Sequence, residues 1–209
     1  TLFRSSSNNV PGSPDSNGTG GDCQYIGTWN DSTWTCTLTR DLTSTGHGII
    51  IANNDITIDG AGHTITGDGS NNYWGVDLST YGPDNVTIKN LTIKYFGIGI
   101  RTSDTNNVII TDNTLRDNAD DGIYSEGDEW LQITNNVILA NARNGITIMW
   151  TGPGYGGDCQ TNFEYQSHIP SFTVKQNTIS SNGEDGIQAT GNANVVFVGA
   201  DQCTPSQDG

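Results

Sequence analysis

Charged residues recur at one position of a repeating segment in the second half of the chain. Asp120, Arg143 and Glu184 each lie five residues after an apolar residue of the repeat. If successive repeats stack, the two carboxylates flank the arginine and lie about 9–10 Å apart. Carboxylates near this separation can serve as acid and base in inverting glycoside hydrolysis, and an arginine can neutralise a uronate carboxylate, as polysaccharide lyases require. We therefore predict these three as candidate catalytic residues, with an ion-pair ladder between repeats as the simpler alternative.

A second group of oxygen-bearing side chains follows in the same repeat. Asp121 precedes the segment SEGDEW, which supplies Glu126, Asp128 and Glu129. Hard cations such as calcium prefer oxygen ligands. The segment does not match an EF-hand loop, so two interpretations stay open: a calcium site formed by these four residues, or an ordinary solvated turn. No cofactor is required in either case.

Aromatic residues between repeats form a third candidate set. Exposed rings on a polar surface can stack on the faces of sugars, and they can equally pack an insertion onto the rest of the protein. The predicted carbohydrate-binding residues are Trp130, Trp150, Tyr155 and Tyr165. Most of them lie in or beside an insertion at about residues 151–169.

The spacing of these candidates comes from an internal repeat of 22–23 residues. Similar segments begin at Val86, Val108, Leu131 and Phe172, the last one after the insertion. Each period has room for three short strands and none for a helix. A single coil of this size cannot bury its apolar face alone, whereas stacked coils share one interior. The repeat therefore predicts an all-β solenoid of about six coils.

Equivalent residues of such a solenoid are expected to stack in columns. Two columns are apolar: Ile88, Ile110, Ile133 and Val174, and then Ile93, Leu115, Ile138 and Ile179. Two others are amides: Asn113, Asn136 and Asn177, and then Asn118, Asn141 and Asn182. We predict that the apolar columns form the core. The stacked amides should bond to one another along the rod and satisfy polar groups at the bends, one of which is predicted at Asn90.

These columns, the motif DGAGHTI that starts at Asp59, and a segment from Cys23 to Cys36 that leads into GHGIIIANNDITIDG resemble right-handed parallel β-helix proteins. The nearest resemblance is to NosD-like repeat proteins and surface proteins of the pectin-lyase-like superfamily, over about residues 23–200. It implies a right-handed parallel β-helix. It implies no single activity, because this fold carries lyases, hydrolases, epimerases, adhesins and structural proteins.

The two ends of the chain carry different signals. Residues 1–22 are rich in Ser, Gly and Asn and predict a flexible linker or arm before a β-helix domain of residues 23–209. Four cysteines allow three pairings. We predict a disulfide that closes an N-terminal cap and another that ties the insertion to the C-terminal end. The two pairs are Cys23–Cys36 and Cys159–Cys203.

Cysteine usage and charge indicate the compartment and the partners. An even number of cysteines without zinc-ligand spacing is typical of extracellular or cell-surface proteins. Candidate N-glycosylation sites agree with this location and lie at Asn17, Asn30, Asn85 and Asn90. The net charge of −15 excludes nucleic acid as a partner. No apolar run is long enough for membrane insertion.

Two classes of function fit these observations. The first is a structural or adhesive surface module, which could assemble head to tail into filaments because an uncapped coil exposes unpaired strand edges. The second is a carbohydrate-active enzyme, a polysaccharide lyase or glycoside hydrolase, with the Asp120, Arg143 and Glu184 column as its site. We favour the first class, since no catalytic motif is complete. The expected partners are other copies of the chain or an extracellular glycan.

Overall fold

A computed structural model describes residues 3–4, 22–149, 171–190 and 194–198. The elements in these ranges are one short helix and a succession of short strands. In chain order they are β1 Phe3–Arg4, α1 Cys23–Ile26, β2 Gly27–Asn30, β3 Thr35–Leu38, β4 Leu42–Thr43, β5 Ile49–Ile50, β6 Thr57–Asp59, β7 Thr64–Thr66, β8 Trp74–Asp77, β9 Thr87–Lys89, β10 Thr92–Lys94, β11 Ile98–Ser103, β12 Asn106–Thr111, β13 Thr114–Arg116, β14 Ile123–Glu126, β15 Glu129–Thr134, β16 Val137–Leu139, β17 Ile146–Met149, β18 Ser171–Lys175, β19 Thr178–Ser180, β20 Ile187–Thr190 and β21 Asn194–Val198.

The strands form three sheets, and successive strands of the chain enter the sheets in rotation. One sheet has the order β1-β5-β8-β11-β14-β17-β20, and a second has the order β4-β7-β10-β13-β16-β19. The third, the eight-stranded sheet, has the order β2-β3-β6-β9-β12-β15-β18-β21. Every described pair is parallel except β2 with β3. The predicted all-β parallel solenoid is confirmed, while the number of coils stays a prediction.

The two predicted apolar columns form the core. Ile88 pairs with Ile110, Ile110 with Ile133, and Ile133 with Val174 in the eight-stranded sheet, and all four side chains are fully buried. The second column, from Ile93 to Ile179, continues strand by strand through the six-stranded sheet. Burying each aliphatic side chain contributes roughly 1.5–3 kcal/mol, so the shared interior dominates the stability of the rod.

The predicted asparagine columns are continuous hydrogen-bonded ladders. Asn113 Nδ2 donates to Asn136 Oδ1 at 3.1 Å, and Asn136 Nδ2 donates to Asn177 Oδ1 at 3.1 Å. The same amides accept backbone N–H groups, as where Leu91 N donates to Asn113 Oδ1 at 3.0 Å. The second ladder joins its three members with equivalent amide bonds of 2.9 and 3.0 Å. Both predicted columns are therefore structural, because they satisfy polar groups that the bends bury.

The bend before each Asn113-type position uses the left-handed backbone region. Asn90, Asp112, Asn135 and Gln176 have φ angles of 57°, 58°, 58° and 59°. Asn and Asp tolerate this conformation better than most residues because their short polar side chains bond locally. The bend predicted at Asn90 is confirmed.

The N-terminal end carries the predicted cap. Strand β2 runs antiparallel to β3, and helix α1 buries Cys23 and Ile26 against the core. Cys23 and Cys36 form a disulfide, as predicted. Cys36 lies in register with Ile58, so the disulfide closes the end of the first apolar column.

Parts of the N-terminal and C-terminal predictions lie outside the described residues. Phe3–Arg4 pairs in parallel with β5, and the flexible linker or arm of residues 1–22 stays a prediction. The rest of residues 1–21, the insertion at about 151–169, and the Cys159–Cys203 pairing stay predictions.

Candidate functional site

The structure brings the predicted column of Asp120, Arg143 and Glu184 together at the turns that enter the seven-stranded sheet. Backbone bonds between the turns hold the three positions in line, with Arg143 N donating to Asp120 O and Glu184 N donating to Arg143 O, each at 3.0 Å. Arg143 Nη1 lies 3.2 Å from Asp120 Oδ1, and Arg143 Nε lies 3.4 Å from Glu184 Oε2. The arginine side chain is 51% exposed.

This geometry fits an ion-pair ladder better than an acid–base pair. The carboxylates of Asp120 and Glu184 raise the pKa of the Arg143 guanidinium. Both carboxylates contact the guanidinium, whereas a general acid must direct its proton toward a substrate. The catalytic role of this column stays a prediction.

Asp121 belongs to a different, inward network. Its Oδ1 accepts from Asn144 N at 2.9 Å, and Asn144 Oδ1 accepts from Asp185 N at 3.0 Å. Asn144 Nδ2 also donates to Thr147 Oγ1 at 3.0 Å. Burial raises the pKa of Asp121, and hydrogen bonds from Asn144 N–H and the Thr147 hydroxyl oppose that shift. Asp121, Asn144 and Asp185 thus form a further ladder one residue beyond the acid–arginine column.

Asp128 is fully buried and has its own set of donors. It accepts from Thr105 N at 2.9 Å, from Thr105 Oγ1 at 2.8 Å and from Ser125 Oγ at 2.6 Å, and also from the hydroxyl of Thr102. Burial raises the pKa of this carboxyl. Asp128 is therefore not part of a solvated turn.

The structure does not assemble the predicted calcium site. Asp121 and Asp128 turn into separate buried networks, and Glu126 Oε2 faces Arg101 Nη2 at 3.8 Å. Within the described ranges, no three His, Cys, Asp or Glu side chains converge as metal ligands do. The carboxylates of Asp121 and Asp128 accept hydrogen bonds from Asn144 and Thr105 of neighbouring coils instead.

A cluster that the sequence prediction missed lies on the outer face of the seven-stranded sheet. Asp77, Arg101 and Tyr124 occupy one register position on β8, β11 and β14. The Arg101 guanidinium lies 5.1 Å from the ring centre of Trp74 and 5.5 Å from that of Tyr124. The repeat could have indicated that Arg101 and Tyr124 are neighbours, because each residue follows a Gly–Ile pair at the same position of the repeat.

His47 lies beside this cluster but is poorly placed to act as a base. Trp74 N donates to His47 Nδ1 at 3.1 Å, so this nitrogen is an acceptor already in use. Burial lowers the pKa of His47, with the nearby Asp77 carboxylate opposing that shift. The neutral ring therefore carries its proton on Nε2 and can donate there, but it has no free basic nitrogen.

Trp130 occupies the corner between the seven-stranded and eight-stranded sheets, in a column that earlier coils fill with small polar residues. Asp55, Asn85, Asn107 and Trp130 have φ angles of 63°, 57°, 56° and 57°. Asn85 Nδ2 donates to Asp55 Oδ1 at 2.8 Å, and Asn107 Nδ2 donates to Asn85 Oδ1 at 2.9 Å. Trp130 ends this amide ladder, since an indole has no acceptor with which to continue it.

The Trp130 side chain is 53% exposed and lines a surface pocket of about 310 Å³. The other lining residues are Asn106, Asn107, Gln132 and Thr173. We call this feature the Trp130 pocket. Of the predicted carbohydrate-binding residues, only Trp130 lies in the described ranges; Trp150, Tyr155 and Tyr165 lie outside them. The sequence around Trp130 contains Gln132, which lies on the same strand, but it does not reveal Asn106 and Asn107, because these two amides come from the preceding coil.

The predicted glycosylation sites differ in their surroundings. Asn85 Nδ2 and Asn90 Nδ2 donate to Asp55 Oδ1 and Asp59 Oδ1 of the preceding coil, at 2.8 and 3.0 Å. An N-linked glycan would replace one hydrogen of the nitrogen that makes these bonds. Asn30 is exposed, and its Oδ1 accepts a hydrogen bond from Ser32 N at 2.9 Å, with no bond from its Nδ2 to the residues that the structure describes. Asn17 lies outside the described residues.

Three parallel sheets stacked coil upon coil, amide ladders at the corners and a polar outer surface define a parallel β-solenoid. The chain belongs to the family of proteins with a right-handed β-helix region, whose family model matches residues 25–201. This confirms the resemblance seen in the sequence.

Comparisons with solved structures and with curated sequences show less than the family model does. A mutant of the periplasmic alginate epimerase AlgG, known from its crystal structure, is similar at 16% identity with a TM-score of 0.42. The similarity covers 78% of this chain and 47% of the epimerase chain, so this chain spans about half of the epimerase. Similarity of this degree does not carry activity or substrate from one protein to the other. No curated protein sequence matches the chain significantly.

Proposed function

We propose that this chain is an extracellular β-helix module that binds a glycan at the Trp130 pocket without transforming it. The observation that carries the proposal is the exposed Trp130 ring beside amide and hydroxyl groups. An aromatic face with a few convergent polar groups is a general arrangement for binding sugars, because the ring contacts C–H groups while the polar groups bond hydroxyls.

A binding role is supported over an enzymatic one by the contacts that the ionisable groups make. Asp120 and Glu184 both face the Arg143 guanidinium, and His47 uses Nδ1 as a hydrogen-bond acceptor. In neither arrangement is an acid or base free of protein contacts and directed at a substrate, as glycoside hydrolysis or elimination needs. A carbohydrate-active enzyme is thus the second candidate, tested below by product formation.

The disulfide supports an oxidising compartment. Cys23 and Cys36 are bonded and fully buried, and such bonds persist mainly in exported proteins. In the described part of the chain, no helix has the length and apolarity to span a bilayer. On the basis of the disulfide, an extracellular or cell-surface location belongs to the proposal.

End-to-end filament assembly receives no support from the N-terminal end. The cap strand β2 is antiparallel to β3 and covers its edge. A second copy stacked on this end would have to continue parallel coils from an antiparallel strand. Self-assembly stays a separate prediction, which electron microscopy of the purified protein would test through the presence or absence of long rods.

The proposed function can be tested by affinity gel electrophoresis in gels that contain soluble polysaccharides. We expect at least one polysaccharide to retard the wild-type protein, and Trp130→Ala to abolish that retardation. Tyr81→Ala is the matched control, since Tyr81 is 52% exposed and does not line the Trp130 pocket. Equal retardation of wild type and Trp130→Ala would contradict the proposal. New reducing ends or unsaturated products from the same polysaccharides would favour the enzyme instead.

A further inference from the structure

We propose that the Trp130 pocket selects a neutral, linear polysaccharide that lies along the rod, rather than a uronate polymer. This inference rests on the proposed function, since it names the substrate class of the same site. Its evidence is the charge of the pocket, the hydrogen-bonding groups in it, and a row of residues that extends it along the eight-stranded sheet.

The pocket offers no charged partner among its lining residues, which are three amides, one hydroxyl and one indole. Of the lysines on the same sheet face, Lys89 is paired with Asp59 at 3.1 Å, and Lys175 follows Thr173 by two positions. Glu129 directly precedes Trp130. The net charge of the chain is −15, so a negatively charged polysaccharide would also be repelled as it approaches. Because no lining residue is cationic and the net charge is −15, carboxylate-bearing sugars are disfavoured, with Lys175 as the one cation two positions from a lining residue.

The polar groups of the pocket suit sugar hydroxyls. Asn106, Asn107 and Gln132 carry side-chain amides that donate and accept, and the Thr173 hydroxyl does both as well. A sugar hydroxyl also donates and accepts, so each can be matched in either direction. A carboxylate only accepts, and it would leave the amide oxygens facing its negative charge.

The outer face of the eight-stranded sheet extends the pocket as an uncharged row, which we call the neutral strip. It consists of residues in mutual register on five neighbouring strands, namely Thr57, Thr87, Ile109, Gln132 and Thr173. The adjacent outward row contains Asp59, Lys89 and Lys175. One row is therefore free of charge over about 19 Å, while its neighbour is not.

The direction of the neutral strip sets the direction of the ligand. Gln132 and Thr173 belong both to the strip and to the pocket, and their strands succeed each other along the rod axis. A linear chain that stacks one sugar on Trp130 can continue across the strip. Longer oligosaccharides should therefore bind more tightly than single sugars.

Trp130→Asn is the sharpest variant for this site. Asparagine occupies the same left-handed corner at positions 85 and 107, and its Nδ2 could donate to Asn107 Oδ1 as Asn107 Nδ2 donates to Asn85 Oδ1. The variant should therefore fold at least as well as the wild type while the aromatic platform is lost. Tyr95→Asn is the matched control, since Tyr95 is also exposed and left-handed, with a φ of 60°, but does not line the pocket.

The experiment compares hydroxyethylcellulose and galactomannan with polygalacturonate and alginate in affinity gels and titration calorimetry. We expect the neutral polymers to bind the wild type and Tyr95→Asn. Binding to Trp130→Asn should be weaker by about tenfold or more, as expected when a central aromatic contact is removed. Affinity for defined neutral oligosaccharides should rise with their length.

The possible failures separate the two proposals. Trp130-dependent binding of polygalacturonate or alginate, with none to the neutral polymers, would overturn the neutral class and uphold glycan binding at the pocket. Binding of neutral polymers that Trp130→Asn leaves unchanged, or no binding of any polymer, would overturn both. Gln132→Lys sharpens the charge argument, because it should introduce polygalacturonate binding at low salt; its failure to do so would contradict the view that charge excludes uronates.

Discussion

Asparagine has different roles at two corners of the same coils. At the corner that contains Asn113, Asn136 and Asn177, the amides are buried and each bonds the next. At the corner that contains Asn85, Asn107 and Trp130, the amides are exposed and the ladder stops at an aromatic ring. The first corner is needed to fold the rod. The second has lower structural demands, and it is there that a residue suited to binding can replace one suited to the turn.

The largest expected effect is at the buried corner. Asn136→Asp removes the Nδ2 donor to Ile110 O and Asn177 Oδ1 and sets a carboxylate against both acceptors. We expect the free energy of unfolding to fall by about 3 kcal/mol or more, since a buried group loses its partners and a charge is desolvated. Chemical denaturation monitored by circular dichroism measures the change. A loss below about 1 kcal/mol would mean that this ladder is not needed for folding.

The next effect is a gain at the exposed corner. Trp130→Asn replaces a bulky left-handed residue with one that tolerates this backbone conformation and extends the ladder from Asn107. We expect the free energy of unfolding to rise by about 1 kcal/mol. Thermal denaturation of Trp130→Asn, with Tyr95→Asn as a second left-handed aromatic, checks the prediction. Destabilisation by Trp130→Asn would show that the ring is a packing residue.

A smaller loss is expected from the exposed acid–arginine column. Arg143→Ala removes contacts to Asp120 and Glu184 on an arginine that is half exposed. Exposed ion pairs contribute about 0–1 kcal/mol, so we expect a loss of about 0.5 kcal/mol that decreases further in high salt. Glycan binding at the Trp130 pocket should stay unchanged. If the wild type cleaved a polysaccharide and Arg143→Ala did not, the acid–arginine column would be catalytic.

The smallest effect is expected from Asn107→Asp, which is the counterpart of Asn136→Asp at the exposed corner. Asn107→Asp makes the same chemical change as Asn136→Asp, but at an exposed amide whose donor bonds Asn85 Oδ1. Aspartate also tolerates the left-handed backbone at this position, as Asp55 shows with a φ of 63°. We expect a change in unfolding free energy within about 0.5 kcal/mol. Equal losses at positions 107 and 136 would remove the distinction between the two corners.

The burial of two acidic residues could not be predicted from the sequence. Asp121 and Asp128 were predicted as calcium ligands or parts of a solvated turn, yet both are buried. The donors to Asp128 include Thr102 and Thr105, which lie 26 and 23 residues before it. A short motif cannot reveal such donors, because they become neighbours only when one coil stacks on the last. The register of the repeat would have placed Thr105 below Asp128, but the inward turn of the carboxylate is decided by the packing of the corner.

The repeat by itself determined the solenoid, the apolar columns and both predicted asparagine ladders. It could do so because a constant period places equivalent residues directly above one another, so spacing along the chain becomes position in space. Only the tertiary structure decided which side chains at irregular positions face solvent. Trp74 lies against Arg101 while Trp130 stands exposed, and this difference depends on neighbours contributed by adjacent coils, which no local stretch of sequence contains.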